Sequence, residues 1–176
     1  MIWIQTVSGK RVDLPIPKLD QIDITDIAYA LSMKCRFNGQ CSRYYSVAEH
    51  SVRVSELCSP ELELAGLLHD ANEAYLPDIP RPVKELIPEY KEIENLMEDA
   101  INRKYGIILT LEDRIAIKKA DNIMLATEGR DLMGNLEGWS LTELPSGFEV
   151  ECWTPEYART RFLERFWVLN RKRYVY

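Results

Sequence analysis

Leu62-Glu63-Leu64-Ala65-Gly66-Leu67-Leu68-His69-Asp70-Ala71-Asn72-Glu73 is the stretch on which the fold turns. Leu62, Leu64, Ala65, Leu67 and Leu68 cover most of the circumference of a helix, so this segment belongs in the middle of a domain. Ser59-Pro60 before it supplies a cap residue followed by proline at the first helical position. The apolar run then closes on two polar groups, His69 and Asp70.

Working outward, helical spacing recurs on both sides. Ile24, Ile27, Ala28 and Leu31 mark a helix over 24–33, with Asp23 or Thr25 as its cap. Ser46 caps a second helix running to about Cys58, and Asn38-Gly39 marks a turn before it. Pro77, Pro80 and Pro82 impose a short rigid loop after Glu73. Pro88 to Tyr105 reads as a helix stopped by Gly106, and Thr110 opens another that reaches about Gly129. Residues 131–153 are irregular, as a lid or cover would be, and Thr154-Pro155 starts a last helix to about Asn170. At the other end, Ile2 to Val7 and Lys10 to Leu14 flank Ser8-Gly9 as a small β-hairpin.

The expected class is therefore all-α: six or seven helices in a single domain over 1–176, with the hairpin as an appendage within 1–20 and the C-terminal helix within 154–176. An apolar fraction of 46% supplies a core for one such domain. The net charge of −6 argues against nucleic acid as a partner, because phosphate backbones demand a basic surface. The basic residues that do gather, from Arg159 to Arg173, read as the solvated face of the last helix. Cys35, Cys41, Cys58 and Cys152 show no CxxC spacing, which suits a reducing cytoplasm, and no apolar run is long enough to span a membrane.

The chain contains two histidines, His50 and His69, each within a mostly apolar helical stripe. Val47 and Val54 stand three and four residues from His50, so its ring is expected to point inward with them. Asp121 sits likewise among Ile117, Met124 and Leu125. Taken singly, each histidine reads as a hydrogen-bonded core residue. Two imidazoles and two carboxylates converging from three helices are another matter, since buried carboxylates are costly unless they meet a cation. A divalent metal is the expected cofactor, with Mn²⁺, Co²⁺, Fe²⁺ or Zn²⁺ suited to the donors and Mg²⁺ a further candidate.

The order His50, His69-Asp70, Asp121 resembles the H…HD…D signature of the HD-domain phosphohydrolases, which are helical bundles. Tyr45-Ser46-Val47-Ala48-Glu49-His50-Ser51 and Leu67-Leu68-His69-Asp70-Ala71-Asn72-Glu73 are similar to segments of the bacterial deoxyribonucleoside 5′-monophosphatases. The similarity continues through Asp78-Ile79-Pro80-Arg81-Pro82-Val83-Lys84 and Lys119-Ala120-Asp121-Asn122. It spans roughly residues 22 to 130.

The resemblance implies that His50, His69, Asp70 and Asp121 hold one divalent ion and that Glu73 is the catalytic acid/base. On a continued helix Glu73 lies four residues from His69 and three from Asp70, which places it on the metal side. Asp78 would contact the sugar 3′-hydroxyl. Arg36 and Phe37 correspond to an Arg-Trp pair near phosphate and sugar, where phenylalanine lacks the indole N–H. Lys84 and Lys118 or Lys119 are candidates for phosphate contact, and Arg36, Arg43 and Lys84 at the mouth would favour a longer phosphate chain. Two substrates suit the family: a deoxynucleoside monophosphate, or a deoxynucleoside triphosphate of dATP type cleaved to triphosphate, as in small phage enzymes that the chain also resembles. Alarmone hydrolysis ranks lower because Ala74, not an acidic residue, follows Glu73. A metal-bound interaction module would have no use for Glu73. Homo-oligomers are common in this family, so self-association is expected.

Overall fold

The computed structural model describes residues 2–172 and shows a helical bundle preceded by a two-stranded antiparallel hairpin. Strands β1 (Ile2–Gln5) and β2 (Arg11–Leu14) pair with Ile2 opposite Leu14 and Gln5 opposite Arg11. Helices α1 (Ile24–Met33), α2 (Val47–Leu57) and α3 (Glu63–Leu68) come next, then α4 (Arg81–Lys84), a single turn. The longer α5 (Pro88–Lys104), α6 (Leu111–Leu132) and α7 (Pro155–Lys172) complete the bundle. Positions 173–176 of the expected C-terminal segment, including Arg173, lie outside the described residues. No helix among the described residues is long and apolar enough to cross a membrane.

Local chemistry explains most boundaries. The side chains of Asp23 and Ser46 accept backbone N–H groups of Thr25 and Glu49, capping α1 and α2. Thr110 and Asp113 form a reciprocal capping box at the start of α6. Pro88 opens α5 where its missing N–H costs nothing, and Gly106 follows the helix with a φ of 63°.

Two expectations need correction. Pro60 does not begin a helix: it sits in a turn closed by Leu62 N–H on the Ser59 carbonyl, and α3 starts at Glu63 without a side-chain cap. The central element is α2, which packs against α1, α3, α6 and α7. Its pattern looks modest because Ser51 and Ser55 are buried in it. Small side chains there let neighbours approach closely: a Cβ on Gly66 of α3 would lie 3.3 Å from the Ser55 Cα.

The hairpin, expected as an appendage, is sewn onto the body. Val12 is fully buried in the main core, with Ile4 and Leu14 packed against it. Asp26, in the first turn of α1, accepts the Ser8 backbone N–H at 3.0 Å and the Ser8 hydroxyl at 2.7 Å. Lys10 Nζ lies 2.5 Å from the Asp23 carboxylate. A nearly buried carboxylate such as Asp26 needs such donors, and the hairpin turn provides them.

Residues 133–154 contain no helix or strand yet run pinned along α6 and α2. Arg130 donates to the carbonyls of Ser146 and Phe148 at 2.8 and 2.6 Å, and Asp131 accepts the Val150 N–H at 2.9 Å. Farther on, Glu49 of α2 accepts the N–H groups of Cys152 and Trp153.

Candidate metal centre

His50 stands one turn into α2, inside Val47 and Val54, both buried. His69 ends α3, Asp70 follows it, and Asp121 projects from the middle of α6. These four side chains meet. His50 Nε2 is 3.3 Å from His69 Nε2 and 3.2 Å from Asp121 Oδ1, and donor atoms of these three residues all lie within 4.8 Å of one another. Asp70 Oδ2 joins them at 3.2 Å from His69 Nε2 and 3.6 Å from His50 Nε2.

Both imidazoles present the same nitrogen to the cluster because the other is engaged behind it. His69 Nδ1 lies 2.8 Å from the Gly66 carbonyl, and His50 Nδ1 lies 2.5 Å from Glu128 Oε1. A neutral ring that donates Nδ1–H keeps a lone pair on Nε2, which is the form that ligates metals. The donors of His50, His69 and Asp121 thus fit a divalent cation, two nitrogens and one carboxylate oxygen, with Asp70 Oδ2 set beside the two imidazoles. His50 is fully buried, whereas the side chains of His69, Asp70 and Asp121 keep 14, 23 and 16% exposure, so one side of the cluster opens to solvent.

Electrostatics follow from the packing. Burial pushes the Asp70 and Asp121 carboxyls up, but the imidazoles and Arg36 outweigh it and hold both well below the usual carboxylate range. Burial depresses His69, and the neighbouring Asp70 overrides this, raising the imidazole to about 9. Glu73 moves the other way: burial, then repulsion from Asp70 and Asp78, lifts it to about 8. A cation beside Asp70 would offset the repulsion from Asp70 but not that from Asp78.

Glu73 reaches this position by a route the periodicity did not indicate. The α-helix stops at Leu68, and Asp70 (φ −103°, ψ 15°) leads into a 3-10 turn over Ala71–Ala74 closed by Glu73 N–H on the Asp70 carbonyl. With three residues per turn, Glu73 eclipses Asp70 and stays on its side. Its Oε2 is buried without a hydrogen-bond partner among the described residues.

The expected substrate contacts divide. Arg36 is at the site, with Nε 3.1 Å from Glu128 Oε2 and a terminal nitrogen 3.5 Å from Asp70 Oδ2. Phe37 lies under the Arg36 guanidinium and 5.9 Å from the Trp139 ring, with a φ of 54° that a phenylalanine rarely adopts. Lys118 pairs with Asp121 at 2.5 Å, while Lys119 is exposed. Asp78 and Lys84 face each other at 3.7 Å, and Lys84 is held 2.7 Å from Glu94. Arg43 donates to the Val150 carbonyl.

Glu128, Glu49 and Trp139 were missed by sequence reasoning. For Glu128 a signal existed: it lies seven residues after Asp121, two turns on and so on the same face of α6. A cavity of about 150 Å³ borders the cluster, lined by His69, Asp121, Lys118, Arg114, Glu98 and Asn102. It is small beside an ordinary small-molecule site. A larger hollow of about 720 Å³ beside Tyr105 and Trp167 shares no residue with the cluster.

No family model matches the chain. It is similar along nearly its whole length to the uncharacterized protein YfdR of Escherichia coli strain K12, 43% identical over an alignment of 173 positions, with 94% of each chain covered. The uncharacterized protein RCAP_rcc00048 of Rhodobacter capsulatus is 35% identical over a gapped alignment of 188 positions, with 96% of each chain covered.

Proposed function

The chain belongs to the family of the uncharacterized protein YfdR, and for it we propose the activity of a metal-dependent phosphohydrolase of the HD-domain kind, acting on deoxyribonucleotides. One observation carries this reading: two imidazole Nε2 atoms and the Asp121 carboxylate converge, with the Asp70 carboxylate against both imidazoles, beside a buried glutamate whose Oε2 has no hydrogen-bond partner among the described residues. His50, His69, Asp70 and Asp121 would hold the ion, which when bound supplies an acidified water and positive charge for phosphoryl oxygens.

Glu73 takes up the proton of the attacking water, a role that favours a carboxyl whose affinity for protons burial has raised. Arg36, held by Glu128, offers its remaining N–H groups to the phosphate. Phe37 and Trp139 present rings to the nucleoside. The substrate is a monophosphate, cleaved to orthophosphate, or a triphosphate, released intact from the nucleoside.

The deciding experiment incubates the purified, metal-analysed protein with ribo- and deoxynucleotides while separating orthophosphate from triphosphate. Glu73→Ala abolishes turnover and leaves the metal bound. No turnover on any nucleotide by a protein that binds metal would leave the rival reading, a metal-bound interaction module.

A further inference from the structure

Glu128 is fully buried, and a carboxylate in that position is tolerated only with donors on both oxygens. It has them from two different parts of the site. Oε1 meets His50 Nδ1 at 2.5 Å, and Oε2 meets Arg36 Nε at 3.1 Å. His50 comes from α2, Arg36 from the segment before it, and Glu128 from α6, so one carboxylate ties three separate stretches of chain.

The two bonds have different consequences. A glutamate accepting from Nδ1 fixes the tautomer and plane of the His50 ring and leaves Nε2 facing Asp121 and His69. On the other oxygen, binding Nε of the guanidinium anchors its base and aims its terminal nitrogens toward the cluster. The contact of one of them with Asp70 Oδ2 is long, 3.5 Å, so that donor is free to tighten on an incoming oxyanion.

Resting on the metal-centre reading above, we propose that Glu128 is a positioning residue that couples cation binding to phosphate binding, by holding His50 with one oxygen and Arg36 with the other. Glutamine at this position accepts from only one of the two and turns an N–H₂ donor against the second. Both affinities then fall, although residue 128 would touch neither ligand.

The test uses the full chain stripped with a chelator. Mn²⁺ is titrated calorimetrically into wild type, Glu128→Gln and Arg36→Gln, and inorganic phosphate is titrated into each at saturating Mn²⁺. Glu128→Gln weakens Mn²⁺ binding 10- to 100-fold, in the range typical for such outer partners, and weakens phosphate as well. Arg36→Gln weakens phosphate and leaves Mn²⁺ within about threefold of wild type, which a general loosening of the fold would not do.

Wild-type Mn²⁺ affinity in Glu128→Gln would overturn the proposal and leave the metal reading intact, and so would a loss confined to Mn²⁺. If wild type itself takes up no Mn²⁺, Co²⁺ or Zn²⁺, the metal reading fails instead. Should Glu128→Gln not fold, ¹⁵N shifts of the two histidine rings decide the matter in wild type. The proposal requires His50 protonated on Nδ1, and a neutral ring with its single proton on Nε2 overturns it.

Discussion

Trp153 donates its backbone N–H to Glu49 Oε2 over 2.6 Å, joining residues more than a hundred positions apart. Cys152 N–H reaches the other oxygen at 3.2 Å, so the carboxylate of a helix residue closes the end of the irregular segment. Burial raises the Glu49 carboxyl and these donors pull it back. Glu49→Ala leaves two buried N–H groups without an acceptor and lowers stability by about 2–4 kcal/mol in urea unfolding. A loss under about 0.5 kcal/mol, the scale of ordinary surface changes, would show that water replaces the carboxylate.

Close packing of α2 and α3 makes Gly66 sensitive. A Cβ there would meet Cys58 Sγ at 2.7 Å and the Ser55 Cα at 3.3 Å, and backbone does not yield as a side-chain tip can. Gly66→Ala costs roughly 1–3 kcal/mol of stability, against the gain alanine normally brings inside a helix. Because the Gly66 carbonyl also holds His69 Nδ1, the same variant binds Mn²⁺ more weakly. A more stable variant with unchanged metal affinity would contradict this reading.

Cation removal is visible in the melting temperature. Mn²⁺ supplied at about 100 times its dissociation constant stabilises the chelated chain by about 2.7 kcal/mol, since the unfolded chain cannot assemble the four donors. For a chain of this length that is a rise of roughly 5–11 °C. Asp121→Asn, which loses a charged donor, responds far less. An identical rise in both proteins would place the ion elsewhere.

The hairpin's attachment carries a pH signature. Hydrogen bonds from Lys10 and Thr25 lower the Asp23 carboxyl from 3.8 to about 2. A folded-state value below the unfolded one stabilises above about pH 4, and that contribution disappears as pH falls through about 2. Asp23→Asn keeps a helix cap but loses the ion pair with Lys10, which is partly exposed, so the variant is less stable by under about 1 kcal/mol at pH 6. Unfolding curves of the two proteins converge between pH 4 and pH 2; divergence in that range would rule the pair out as the cause.

Sequence alone determined the all-helical class, the order of the main helices and the positions of most caps, because capping and 3.6-residue periodicity are local properties read within a few residues. It also singled out His50, His69, Asp70 and Asp121, since polar groups on apolar stripes are conspicuous without any structure. Tertiary structure decided what depends on partners distant in the chain. Glu128 looked like any glutamate on a long helix until Arg36 and His50 closed on it, 92 and 78 residues away. Burial of the serine-rich α2, docking of the hairpin through Asp26 and placement of Glu73 by a 3-10 turn share that character. In each, a local pattern was compatible with several environments, and packing between remote segments selected one.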